Sequence, residues 1–278
     1  MQGLKKILFF LHLLSLDVVF GAVFTSALFW RLPDGRQTLD YPSLILLGVT
    51  TWLIYILDRL LDLRIYPNDF SARHAFHAKY QFNLSVLSVA LFIIALVLCF
   101  LIPKIEFLFG LGLFVLLLGY FIVLNKILKN VSLQWIKEPI TAISYAIAVV
   151  GTAFVNKTSI NLSEWVLGGM LFLVASQNLL IFSYFERMNH KEVDNSVSFY
   201  GRNTSLRLIR GIGMLVLFLG ITLFYGGWEF KNQVAALLVV MSQILSFLPS
   251  RERFFLENDR YRWMGDGVFL LSVFLAFV

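Results

Sequence analysis

Apolar runs long enough to cross a lipid bilayer recur along this chain from end to end, and no other feature restricts its fold as tightly. About 20 apolar residues make one helical crossing. Such runs fall at roughly 8–30, 42–62, 82–102, 107–125, 139–155, 164–185, 207–226, 233–249 and 264–278. Pro42, Pro103, Pro139 and Pro249 sit at or near their ends, where proline is tolerated. The Leu, Phe and Val blocks do not alternate as barrel strands do. At 14% charged residues, the 278-residue chain lies far below the roughly 25% of soluble domains. The expectation is an all-α integral membrane protein, one domain over 1–278 built as a bundle of nine transmembrane helices. The run from Ile7 to Trp30 is too long for a signal-peptide core and lacks a small-residue cleavage site, so it is read as the first helix. Cys99, the sole cysteine, excludes an intrachain disulfide.

Orientation follows from Lys and Arg, which accumulate on the cytoplasmic side. With these spans, 18 of the 23 basic residues fall on one side, and only Arg31, Arg36, Lys104, Lys157 and Lys231 on the other. This places the N-terminus in the cytoplasm. Most of the net charge of +6 is then explained by topology and by attraction to anionic headgroups.

Topology does not explain the acids. In "LIYILDRLLDLR", Asp58 and Asp62 stand one turn apart at the cytoplasmic end of the second run. Residues at this spacing share a helix face, with Cβ atoms about 5–6 Å apart. Two such carboxylates repel in a low dielectric unless a cation intervenes. Mg²⁺, held by one or two carboxylates plus phosphate oxygens, removes the conflict. The bland alternative is a helix end paired with Arg59 and Arg64. A second polar cluster, "SYFERMNHKEVDNSVSFYGR", closes the sixth run with Glu186, His190, Glu192 and Asp194 among Arg187 and Lys191. Both clusters lie on the same predicted side, so together they would hold a metal-bridged diphosphate. His190 is read as a polar loop residue, because Mg²⁺ prefers oxygen. The intervening loop supplies Arg73, His74, His77 and Lys79. Arg suits phosphate oxygens through bidentate donation. His74 and His77 are spaced like zinc ligands, but no further ligand completes a set; His12 sits in the first run.

In these motifs the chain resembles the UbiA superfamily of intramembrane prenyltransferases. The family's first motif is N-D-x-x-D-x-x-x-D. Here "IYILDRLLD" keeps its last two aspartates as Asp58 and Asp62, while Ile54 and Tyr55 replace the leading pair. Arg73 in "SARHAF" matches the basic loop that follows, and Lys126 or Lys129 in "LNKILKN" matches a lysine after the fourth helix. The second motif, usually D-x-x-x-D, is matched loosely by Glu186 and His190, with Asn178 at a further polar position. The resemblance implies a cytoplasm-facing cavity in the prokaryotic inner membrane. Within it, Asp58 and Asp62 serve catalysis and, with Glu186, hold Mg²⁺. Arg73, Lys126, Lys129 and Lys191 are the expected diphosphate contacts, and Asn178, His190 and Asp194 the further candidates. The implied reaction transfers an isoprenyl group from a prenyl diphosphate to a hydrophobic, often aromatic, acceptor. Ionisation leaves an allylic cation that aromatic faces stabilise.

Two rivals share the scaffold: a terpene cyclase, and a non-catalytic membrane protein that binds lipid or a cation. A transporter is disfavoured, because transporters place polar groups near the midplane of broken helices and these acids sit at helix ends. No Gly-rich phosphate loop with Gly-Lys-Ser/Thr is present, and no nucleic-acid module. Gly110 to Gly119, "GLGLFVLLLG", is read as transmembrane helix whose glycines serve close helix contacts. Asn156 and Asn161 match weak glycosylation sequons on the predicted outer side.

Overall fold

In the computed structural model, residues 9–65, 72–127, 136–189, 195–224 and 228–277 are described. Among them every regular element is helical. A helical turn at 9–13 leads into α1 (Leu16–Trp30). Then come α2 (Tyr41–Ile65), the short α3 (Ala72–Lys79), α4 (Gln81–Leu98), α5 (Lys104–Ile127), α6 (Lys137–Phe154) and α7 (Leu162–Asn189). The remainder comprises the short α8 (Ser196–Tyr200), α9 (Arg202–Leu223), α10 (Phe230–Phe247), α11 (Glu252–Leu256), α12 (Arg260–Gly267) and α13 (Val273–Ala276). A 3-10 segment, Val268–Ser272, joins the last two.

Among the described residues, five stretches are both long and apolar enough to cross a membrane: Tyr41–Leu61, Gln81–Leu98, Leu162–Asn189, Arg202–Leu223 and Phe230–Ala276. The protein is an integral membrane protein. Its outward faces agree with this, since Phe82, Phe92, Phe100, Phe114, Leu116 and Phe218 are each more than half exposed. Soluble monomers rarely leave so wide an apolar surface uncovered.

The central rod is α7. In its apolar window 56% of residues are buried, against 22% for α2, α4 and α9. Its apolar residues are spread around the helix rather than along one stripe, as suits the most enclosed of these helices. Its start is capped reciprocally: the Asn161 carbonyl accepts the Glu164 N–H at 3.0 Å, and the Glu164 carboxylate accepts the Asn161 N–H at 2.8 Å. Around α7 pack α6, α9, α10 and α12, while α1 joins α2 and α6 to the Val268–Ser272 segment. Small hydroxyl and amide groups tie these rods together, as they do where lipid removes the hydrophobic drive between helices. The Gln177 amide nitrogen donates to the Ile209 carbonyl at 3.0 Å and the Ser246 hydroxyl at 2.8 Å, and its oxygen accepts from Ser242 at 2.7 Å. Thr25 and Ser272 share a hydrogen bond of 2.9 Å across nearly the whole chain length.

The structure corrects two sequence expectations. The run at 8–30 is not one continuous helix: it breaks at Leu14 and Ser15, where Ser15 takes a left-handed φ of 57°. The Leu14 carbonyl accepts from the Trp52 indole N–H of α2 at 3.0 Å. The glycines of α5 do not serve close packing either. Among the described residues, a Cβ built at Gly110, Gly112 or Gly119 meets nothing within 4 Å. Close approach occurs instead at Gly213, where a Cβ would stand 2.2 Å from the Ser246 hydroxyl, and at Gly21, 2.8 Å from the Phe269 Cβ.

Candidate functional site

The break at Ser15 assembles the site. In an unbroken helix, residues five apart point roughly 140° away from each other at 3.6 residues per turn. With the break, His12 turns back onto Asp17, and its Nδ1 lies 2.5 Å from Asp17 Oδ2. Arg73 of α3 donates from a terminal guanidinium nitrogen to His12 Nε2 at 3.1 Å. A guanidinium only donates, so Nε2 accepts, and neutral His12 carries its proton on Nδ1 toward Asp17. Trp263 of α12 stacks on the His12 ring at a centroid distance of 4.4 Å. One turn further along α12 lies Asp266. The ligating atoms of His12, Asp17 and Asp266 all fall within 4.8 Å of one another.

Three guanidinium groups from three elements converge here: Arg59 on α2, Arg73 on α3 and Arg262 on α12. Burial pushes the Arg73 guanidinium down to about 10, Arg59 and Arg262 add repulsion, and Asp266 and Asp17 oppose the shift. Arg262 is ion-paired to Glu186 of α7 and lies 5.5 Å over the Phe182 ring. The neighbouring His77 donates from Nδ1 to the Arg73 carbonyl at 2.9 Å. Burial lowers the pKa of His77, and the cations around it act in the same direction.

Beneath this cluster lies a cavity of about 50 Å³, with Tyr55, Tyr145, Asn178, Phe182, Asp266 and Phe269 among its lining residues. It has room for a few water-sized groups. Gly265 lets α12 come this close, since a Cβ there would stand 2.3 Å from Asn178 Oδ1 and 2.4 Å from the Phe182 ring. Asn178 Oδ1 is buried with no hydrogen-bond partner among the described residues.

Two solved structures of a UbiA homologue from Archaeoglobus fulgidus resemble the chain. One, bound to Cd²⁺, aligns with a TM-score of 0.60 at 15% identity, covering 96% of this chain and 99% of the other. The second gives a TM-score of 0.62 at 13% identity over 97% and 99%. The chain has the UbiA fold. No family model matches the sequence, and no curated protein does.

On this UbiA fold the sequence-predicted residues divide three ways. Arg73 and Asn178 reach the polar cluster and the cavity respectively. Asp58 is half-buried one turn from Tyr55, and Glu186 is engaged by Arg262. The side chains of Asp62 and Lys126 lie outside the described residues, as do Lys129, His190, Lys191 and Asp194. Of the two residues replacing the motif's leading Asn-Asp, Ile54 faces outward and Tyr55 faces the cavity.

Sequence reasoning missed Asp17 and Asp266 and gave His12 no role. The signal was present for both acids. "LSLDVVFGAVF" and "WMGDGVFLLSV" each carry one carboxylate in an apolar stretch, the same cue that singled out Asp58.

Proposed function

We propose that the protein transfers an isoprenyl group from a prenyl diphosphate to a lipophilic acceptor within the membrane. In this reading nine helices cross a prokaryotic inner membrane, the N-terminus is cytoplasmic, and the polar cluster faces the cytoplasm. The observation that carries it is the convergence of Arg59, Arg73 and Arg262 over an aromatic-lined cavity in a UbiA-fold bundle. A half-buried group of guanidiniums fits the oxygens of a diphosphate.

A metal suits the donor chemistry present. Asp58 and Asp62 supply hard carboxylate oxygens on one helix, next to cations suited to the phosphate. Mg²⁺ bound there would neutralise charge on the departing diphosphate. The chain's own residues do the rest. Arg73 and Arg59 bind and orient the diphosphate and stabilise charge as it develops on the leaving oxygen. Arg262, held by Glu186 and stacked over Phe182, adds positive potential without freedom to wander. Phe182, Phe269 and the faces of Tyr55 and Tyr145 exclude water and present π-electrons to an allylic cation. At about 50 Å³ the cavity does not hold a prenyl chain, so the tail lies between helices toward lipid and only the reacting end enters.

One observation favours a second reading. Glu186 is committed to Arg262, which leaves fewer acids for metal than the UbiA motifs normally carry and points toward a binder of lipid phosphate without turnover. Incubating purified protein with Mg²⁺ and prenyl diphosphates of several lengths, with and without an aromatic acceptor, separates these readings. Release of diphosphate with a prenylated acceptor supports the transferase, and release without the acceptor indicates a cyclase. Binding without release selects the non-catalytic reading.

A further inference from the structure

The cluster of His12, Asp17 and Asp266 lies outside both acidic motifs, and its third member is a buried carboxylate beside a cavity. Asp266 is only 7% exposed. Among the described residues no hydrogen bond or ion pair reaches its carboxylate, which lines the cavity together with the unpartnered Asn178 Oδ1. Buried polar atoms are paired in the great majority of cases, and exceptions call for an explanation. Asn178 Oδ1 and the Asp266 carboxylate are both acceptors. Two acceptors facing one small cavity are satisfied by a cation, by a donor group on a ligand, or by water.

We propose that His12, Asp17 and Asp266 bind a divalent transition-metal ion, Zn²⁺ or Mn²⁺ in chemical class, at a site separate from the Asp58–Asp62 carboxylates. The three ligating atoms already lie within 4.8 Å of one another. An ion about 2.1 Å from each brings tetrahedral ligand atoms to roughly 3.4 Å apart, a contraction that side-chain rotation supplies. One imidazole with two carboxylates selects a borderline ion over Mg²⁺, which favours oxygen alone. The imidazole is pre-oriented by Trp263 stacked on its face, and the Ser15 break aims Nδ1 at Asp17. As the ion takes its place, the Nδ1 proton leaves to solvent. Arg73, hydrogen-bonded to Nε2, is a positive charge that interacts with both carboxylates when no ion is bound. The donors come from the turn before α1, from α1 and from α12, so the ion would also fasten segments about 250 residues apart in sequence.

The test needs no prenyl diphosphate. Purified protein is titrated with Co²⁺, read by its visible absorption, and then with Zn²⁺ in competition. The expected result is one equivalent of Co²⁺ with nitrogen and oxygen ligation, displaced by Zn²⁺. His12→Gln and Asp266→Asn should each weaken it at least tenfold, while Asp58→Asn leaves it unchanged. Asp266→Asn removes a charge with almost no change of shape, so it decides the matter if His12→Gln does not fold. No Co²⁺ binding at millimolar concentration overturns the proposal. So does binding that is lost in Asp58→Asn and kept in Asp266→Asn. If Co²⁺ binds as expected but Mg²⁺ supports neither diphosphate binding nor release, the transferase reading fails and this site stands. If diphosphate is released but Co²⁺ does not bind, the reverse holds.

Discussion

Both ends of this bundle bury carboxylates, and they treat them in opposite ways. At the end carrying Arg31 and Lys157, Glu164 is 1% exposed and fully engaged: the Lys157 ammonium donates to one oxygen, and the Asn161 N–H to the other. Lys157 also donates to the Leu32 carbonyl at 2.9 Å, and Glu106 accepts from Ser43 and Asn156. At the cavity end, Asp266 is nearly as buried but has no such partner among the described residues, and Asn178 Oδ1 beside it is likewise unpaired. At the first end the buried carboxylates Glu106 and Glu164 are engaged. At the other, acceptors without a partner among the described residues stand beside three guanidiniums, an arrangement that fits a binding site better than a structural joint. Functional sites are commonly unoptimised for stability in this way.

The widest contrast is in stability. Lys157→Met strands Glu164 in the interior and should cost about 3–5 kcal/mol, the range for removing one partner of a buried ion pair. Asp266→Asn removes a buried charge that no hydrogen bond or ion pair reaches among the described residues, so it should cost nothing and gain up to about 1 kcal/mol. Chemical unfolding of the two variants in detergent measures both. Equal losses would break the comparison and make Asp266 a structural residue.

A glycine pair sharpens the same contrast through packing. Gly265→Ala drives a methyl into Asn178 and Phe182, closing the cavity wall at a cost of about 1–3 kcal/mol. Gly112→Ala meets nothing within 4 Å among the described residues and should stabilise α5 by roughly 0.5–1 kcal/mol. Thermal unfolding of the two proteins should move in opposite directions.

Ligand binding is the third test. Asp58→Asn and Asp62→Asn should each weaken Mg²⁺-dependent prenyl-diphosphate binding about tenfold, near 1.4 kcal/mol. The double variant should be little worse than either alone, since the two carboxylates act as a unit. Arg73→Ala should weaken the same binding at unchanged fold. Calorimetric titration with and without Mg²⁺ reads all four, and metal-independent binding in the unaltered protein would remove Asp58 and Asp62 from the site.

The smallest effect is a pH dependence confined to the cavity end. Burial holds the folded-state pKa of His77 below its ordinary value. The unfolded chain therefore takes up the proton first. The stability contributed by neutral His77 is present above about 6.5 and is lost as the pH falls through the lower folded value. His77→Gln should flatten that part of the stability profile and leave the Lys157 end unaffected.

What could be read in advance follows from the range of the forces involved. Helices were legible because lipid demands long apolar runs: each predicted span overlaps helix among the described residues, five stretches there are long and apolar enough to cross, and the run at 8–30 is broken at Ser15. Asp58 stood out because it interrupts such a run. Asp17 and Asp266 gave the same signal singly, and nothing in a one-dimensional pattern pairs residues from opposite ends of the chain. The left-handed turn at Ser15 left no mark, since serine is an ordinary residue there, yet without it His12 faces away from Asp17. The α5 glycines read as contacts because spacing alone does not say which face of a helix has a neighbour.

The union of α1 with α12 has a consequence in time. His12 and Asp17 leave the ribosome about 250 residues ahead of Asp266. At roughly 5–20 residues per second, the early pair waits about 10–50 s for its third member. During that interval the nascent chain carries an incomplete polar knot of His12, Asp17 and Arg73. The polar cluster is completed only when α12 packs beside it, and a chain ending before Trp263 would lack both the ring that stacks on His12 and the third carboxylate.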